Sequence, residues 1–145
     1  MNIKLKEIMV KRVVTVEMDD SLRVVNEIFE TMKFHHLLVV DHKKLTGVIS
    51  DRDLFKALSP NLGTMSATVK DEQTLEKKVH QIMTRNPICG TSDETVGDAI
   101  KRMILNDISC LPIIVGNNQI EGIVSWKDFL RKASEFVEEN EEIKE

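Results

Sequence analysis

The chain is written twice. KEIMVKRVVTV at 6–16 lines up with HQIMTRNPICG at 80–90, so that Ile8-Met9 matches Ile82-Met83 at an offset of 82 − 8 = 74. The same offset carries Asp19 onto Asp93, Leu22 onto Val96, Phe29 onto Met103 and Val39-Val40 onto Ile113-Ile114. After a one-residue insertion near Asn117, Gly47 falls on Gly122, Ser50 on Ser125 and Asp53 on Asp128. An internal repeat of this length decides the architecture before any local signal does, because each copy must be the same supersecondary unit.

Each copy reads as β-α-β-β-α. A short strand (Val13–Val16; Pro87–Gly90) leads to an acidic capping stretch (19–21; 92–95) and then to a helix. Apolar positions at Leu22, Val25, Phe29 and Met32, or Val96, Ala99, Met103 and Ile104, give that helix one buried face. A buried strand follows (Leu37–Asp41; Leu111–Val115), then a polar turn (42–44; 116–118) and a second strand (Leu45–Ser50; Gln119–Ser125). A second helix starts after the serine in both copies. The fold class is therefore mixed, α/β in the α+β arrangement. A copy of about sixty residues buries little surface by itself, so two copies packed sheet to sheet with helices outside form a pseudo-two-fold pair. The boundaries expected are repeat 1 at 1–58, a linker at 59–74, repeat 2 at 75–133 and an acidic helical tail at 134–145. The linker contains Pro60 and Gly63 and has no apolar period, with a helix starting at Glu72.

Bulk properties exclude several functions. The net charge of −4, with five Phe, one Trp and no Tyr, provides neither a basic footprint nor a stacking platform for nucleic acid. No apolar run approaches the length that spans a bilayer, and the N-terminus lacks the pattern of a signal peptide, so a cytoplasmic protein is expected. Two cysteines, Cys89 and Cys110, fit a reducing compartment and make no disulfide framework. No phosphate loop, HExxH or paired CxxC pattern occurs, and Cys89, Cys110 and the four histidines lack metal-ligand spacing. With no nucleophile and base to pair, the chain reads as a non-enzyme needing no cofactor or metal.

The repeated feature with chemical content is Ser-x-x-Asp, in GVISDRDL (47–54) and GIVSWKDF (122–129). Ahead of an apolar helix it is the spacing of a capping box, with the serine hydroxyl on a backbone N–H three residues on and the acid reaching back. The same aspartate, at a strand end and in a first helical turn, is placed to accept hydrogen bonds from a vicinal diol. The two roles are compatible for the serine and compete for the aspartate.

These features together resemble a tandem pair of CBS domains, the arrangement called a Bateman module. The residues carrying the resemblance are IM at 8–9 and 82–83, the runs HHLLVVDHKKLTGVIS and SCLPIIVGNNQIEGIVS, and SDRDL and SWKDF. It covers positions 5–58 and 79–133. What it implies is a stand-alone regulatory protein. It would bind an adenosine-containing ligand of the AMP, ADP and ATP class in clefts between the repeats, dimerise into a disc, and pass the ligand state to a regulated partner protein. The alternatives it leaves are a sensor of S-adenosylmethionine or NAD, and a dimerisation module with vestigial clefts. Carried over by residue, one cleft combines Val13, Val14, Thr15, Phe34, His35 and His36 with Ile123, Ser125 and Asp128, the aspartate taking the ribose and a histidine facing phosphate. The other combines Pro87, Ile88, Cys89, Ile108, Ser109 and Cys110 with Val48, Ser50 and Asp53. Ser109-Cys110 there replaces the histidine pair, so anionic ligands are expected to prefer the first cleft. Lys127 and Arg52 are expected in surface ion pairs and Trp126 in packing.

Overall fold

The computed structural model describes residues 2–144 and divides them into two compact units, one of residues 14–87 and one of residues 2–13 with 88–144. In the first unit, β1 (Thr15–Glu17) runs parallel to β2 (His36–Asp41), which pairs antiparallel with β3 (Lys44–Ser50). Helix α1 (Leu22–Thr31) lies between β1 and β2 in the chain, and α2 (Asp51–Ala57) follows β3 directly. Downstream, α3 (Val69–Gln73) leads through two turns of 3₁₀ helix to the short strand β4 (Thr84–Arg85), which closes antiparallel on Gly47 and Val48. The core is Val16, Leu22, Val25, Leu37, Val39, Ile49, Leu54, Val79 and Met83. Its residues on β1 and β3 alternate with exposed or half-buried ones, while β2 is buried along its middle four positions, as a central strand must be.

The second unit repeats this plan with α4 (Val96–Leu105), β5 (Cys110–Val115), β6 (Gln119–Ser125) and α5 (Trp126–Lys144) around Leu5, Ala99, Met103, Leu111, Ile113 and Val124. Strand β5 pairs antiparallel with β6. The strand expected at 87–90 is reduced to one parallel bridge, Gly90 to Ile113, the counterpart of Val16 against Val39 in β1. Pro87, which has no N–H to donate, shortens it.

Duplication extends to individual hydrogen bonds, and it shows which segment belongs where. In the 14–87 unit, Val79 N donates to Asp20 O at 2.9 Å and Leu22 N to Lys77 O at 2.8 Å. In the other, Leu5 N donates to Glu94 O at 2.9 Å and Val96 N to Ile3 O at 2.8 Å. The IM segment at the head of each sequence repeat thus folds into the unit built on the other repeat. Each methionine sits on a glycine. A Cβ on Gly47 would lie 2.7 Å from Met83 Sδ and 2.9 Å from Thr84 O, and one on Gly122 would lie 2.8 Å from Val10 O and 3.1 Å from Met9 Sδ. Backbone meets backbone there, so no side chain fits.

Both hairpins carry a bulge at the same place, with Thr46 and Glu121 as the extra residues. Thr46 Oγ1 donates across its bulge to Val39 O at 3.2 Å, whereas Glu121 Oε2 is buried without a partner among the described residues. The turns differ by the inserted residue: His42 and Lys43 both take positive φ in a two-residue loop, while the three-residue loop at 116–118 places Gly116 and Asn118 there.

Three local expectations are corrected. Ile104 is exposed, because only Val96, Ala99 and Met103 fall on the stripe that faces the core before α4 ends. Met32 lies just past α1 as its cap and is exposed. The linker helix begins at Val69, earlier than Glu72, because Thr68 and Asp71 form a capping box there and Asp71 also accepts from Ser59 Oγ at 2.7 Å.

Gly47→Ala and Gly122→Ala are each expected to destabilise the protein by about 1–3 kcal/mol. Gly97→Ala, in the open on α4, is expected to stabilise it by up to about 1 kcal/mol. Urea unfolding of the three variants checks both signs.

Candidate functional site

The candidate site is the junction where the second hairpin strand of each unit becomes a helix. At the first junction Ser50 is extended at φ −99°, ψ 161°, so β3 ends and α2 begins without an intervening loop. Asp53 N donates to Ser50 Oγ at 3.0 Å and Ser50 N donates to Asp53 Oδ2 at 3.0 Å, a complete capping box. The box uses one oxygen of the carboxylate. Asp53 Oδ1 has no hydrogen bond among the described residues, and a carboxylate accepts at both oxygens. Capping and diol recognition therefore do not exclude each other at this aspartate.

The second junction is built differently. Ser125 N donates to Asp128 Oδ2 at 2.8 Å, but the serine hydroxyl also points at that oxygen, at 3.2 Å. Arg131 Nη1 donates to Oδ1 at 3.2 Å. Asp128 is only 8% exposed, the one charged residue buried in the core regions of the described chain. Both of its oxygens are engaged, and the guanidinium that holds Oδ1 is itself 70% exposed. Only the arginine end of this pair is open to solvent, which screens it in part. Arg131 was legible only as the i, i+3 partner of Asp128; Lys127 and Arg52, nearer the serine, draw the eye first.

Around the first junction the 14–87 unit gathers several of the expected residues. His36 opens β2 directly opposite Ser50, and Thr15 opens β1, exposed and opposite Leu38. His35 Nδ1 lies 2.7 Å from Asp51 Oδ2, and Asp51 N donates to His35 O at 2.9 Å, so the loop before β2 is clasped to the start of α2. Burial lowers the His36 pKa below its ordinary value, against the raising influence of Asp51; His35 adds to the lowering and Asp53 opposes it. The lowering favours the neutral imidazole over the charged one. Val14 and Phe34 pack on the core, and Val48 sits in β3 opposite Leu38 and Thr84.

In the other unit Cys110 stands opposite Ser125 and Ser109 O accepts from Trp126 N at 3.2 Å, the counterparts of His36 and of the His35–Asp51 backbone bond. Trp126 is exposed rather than packed, because it occupies the place of Asp51 at the helix start. Arg102 grips both oxygens of Glu94 at 3.0 Å and donates to Cys89 O at 2.9 Å, which fixes the segment carrying Ile88 and Cys89. Ile108 packs on the core, Ile123 and Val13 are half-buried, and Ile123 exchanges two backbone hydrogen bonds with Val10. Pro87 is half-buried at the end of the 14–87 unit. Burial pushes the Cys110 thiol up to about 12, with Cys89 adding to it, and burial raises Cys89 as well. Neither thiol ionises near neutrality, so neither is a ready nucleophile.

Among the described residues no group of three or more His, Cys, Asp and Glu could hold a metal ion, and no helix is long and apolar enough to cross a membrane.

The family model for the CBS domain matches twice, at residues 5–60 and 79–135. Inosine-5'-monophosphate dehydrogenase of Methanocaldococcus jannaschii is 31% identical over 130 residues, which are 89% of this chain and 23% of that enzyme. A CBS domain-containing protein of Dictyostelium discoideum is 32% identical and covered to 90%, as is this chain. The chain spans 23%, 42% and 22% of the length of three Methanocaldococcus jannaschii relatives it matches, less than half of each. Among solved structures, the CBS domain pair of protein MJ0100, in complex with 5'-methylthioadenosine and S-adenosyl-L-methionine, superposes with a TM-score of 0.76 at 30% identity, covering 90% of this chain and 95% of that one. An acetoin utilization protein from Vibrio cholerae superposes at 0.78 over 98% of both chains, and at 24% identity it shares the fold.

Folded Cys110 keeps its proton well above the ordinary thiol value of 9.0, whereas the unfolded thiol does not. Stability from this group is therefore full below about pH 9 and lost as pH rises towards 12. Cys110→Ala is expected to flatten that part of the stability curve, and iodoacetamide is expected to label both thiols only after unfolding.

Proposed function

Because the chain belongs to the CBS domain family, we propose that it is a regulatory module that senses an adenosine-containing ligand, with the aspartates of its two Ser-x-x-Asp junctions accepting from the ribose hydroxyls. The observation that carries this reading is that the cap engages Oδ2 of Asp53, while Oδ1 accepts from no group among the described residues. The geometry is preorganised, so little is lost in ordering the acceptor when a diol arrives. The ribose at Asp128 displaces Arg131 instead.

Two ligand classes divide on the neighbours of those carboxylates. His35 and His36 favour a ligand with phosphate, of the AMP, ADP and ATP class. Cys89, Ser109 and Cys110 offer no cation, and they favour an uncharged or sulfonium-bearing tail, in line with the ligands of the MJ0100 pair. One chain then holds one ligand of each class. Dimerisation and a regulated partner protein belong to the same proposal: the ligand signals only by the difference in its affinity for two shapes of the assembly.

Titration calorimetry with AMP, ATP, 5'-methylthioadenosine and S-adenosylmethionine, each against its 2'-deoxy or abasic counterpart, tests the reading. Asp53→Asn and Asp128→Asn are each expected to weaken their own site about tenfold or more, the worth of a hydrogen bond to a charged acceptor. The 2'-deoxy ligand should then lose little further. Since burial favours the neutral form of His36, phosphate binding pulls a proton onto it. AMP affinity is expected to rise as pH falls towards the lowered His36 pKa, relative to adenosine, and His36→Ala to remove that rise. Heat from none of the four ligands would overturn the proposal.

A further inference from the structure

We infer that the C-terminal half of α5 is a docking surface for a basic amphipathic helix of a partner protein. The inference names the partner class for the proposed regulation but stands apart from the ligand. The two second helices of the duplication differ in length: α2 has 7 residues and α5 has 19. The family match ends at residue 135, so most of the excess is an addition to the repeat.

That addition is a patterned helix with nothing on it. At 100° per residue, Trp126, Phe129, Leu130, Ala133, Phe136, Val137 and Asn140 fall on one stripe, Glu135, Glu138, Glu139 and Glu142 fall on the opposite side, and Glu141 falls at the stripe's edge. The stripe begins in the fold, where Phe129 packs on the core of its unit. Beyond that point every residue from Ala133 to Glu142 is exposed, with Phe136 at 42% and Val137 at 55%. This apolar stripe keeps its phase after its own core has ended and is covered by none of the described residues.

Charge selects the occupant. Between Lys132 and Lys144 there are five glutamates and no cation. Glu135 pairs with Lys132, while the other four form no ion pair among the described residues. Glu139 and Glu141 rim the stripe on its two sides. All four lie in the last turns of the helix, where the dipole disfavours anions. A second copy laid along the stripe would bring acid against acid. A partner helix with an apolar stripe rimmed by Lys or Arg covers Phe136 and Val137 and relieves both repulsions.

The test uses the full chain and two synthetic amphipathic helices of one leucine face, rimmed by lysine in one and by glutamate in the other, followed by fluorescence anisotropy. The lysine peptide is expected to bind, to weaken with added salt, and to lose about tenfold or more in affinity with the double substitution Phe136→Ser, Val137→Ser. Glu139→Lys with Glu141→Lys is expected to switch preference to the glutamate peptide. These positions are exposed, so the thermal unfolding of the variants should match that of the unsubstituted chain. Equal binding of both peptides, binding indifferent to both variants, or no binding overturns the inference. So does sedimentation showing self-association that Phe136→Ser, Val137→Ser abolishes, which would assign the stripe to a second copy.

Discussion

Everything in this fold depends on one close approach, repeated: the backbone that follows an Ile-Met pair is laid directly across a glycine in the strand that ends in Ser-x-x-Asp. Val10 and Ile123 exchange hydrogen bonds at 2.9 and 3.0 Å, and β4 pairs with Gly47 and Val48 in the same way. A side chain at either glycine would push the two backbones apart. Beyond this contact the strand runs on to its serine, and the serine sets where the helix starts. The carboxylate three residues later owes its position to that chain of constraints. Because the contact is made by the lead segment of the other sequence repeat, neither repeat is a complete unit by itself. One of the two units is assembled from both ends of the chain.

The duplication, the β-α-β-β-α order and the four central strands were legible because period and turn chemistry agree with the final packing at nearly every position. The crossing of lead segments was not. Ile8-Met9 and Ile82-Met83 read as members of the repeats they precede, and no local signal says that Met9 will sit on Gly122 rather than Gly47. Such pairings come from tertiary topology, to which a sequence window is blind. Ile104 shows the same blindness at smaller scale, its apolar side chain falling on a helix face that the core does not reach.

At the site, the residue types were legible and their division of labour was not. Spacing alone sets capping against ligand recognition at each aspartate, yet a carboxylate has two oxygens and Asp53 commits only one of them. The two copies have also diverged in what surrounds the acid. Arg131 holds Asp128 where Asp53 has no such partner, and His36, its pKa lowered by burial, stands where the other copy has a thiol pushed up to about 12. Matching junctions with unequal side chains around them are what a duplicated module needs if its two junctions are to answer to different ligands.

The claim on which this account rests is that these carboxylates read a ribose. The most direct measurement is a crystal structure of the chain grown with 5'-methylthioadenosine and AMP together. The account predicts ribose hydroxyls within hydrogen-bond distance of Asp53 Oδ1 and of an Asp128 Oδ1 released by Arg131. A nucleoside bound with its ribose away from both aspartates, their caps and the Arg131 contact unchanged, would contradict it.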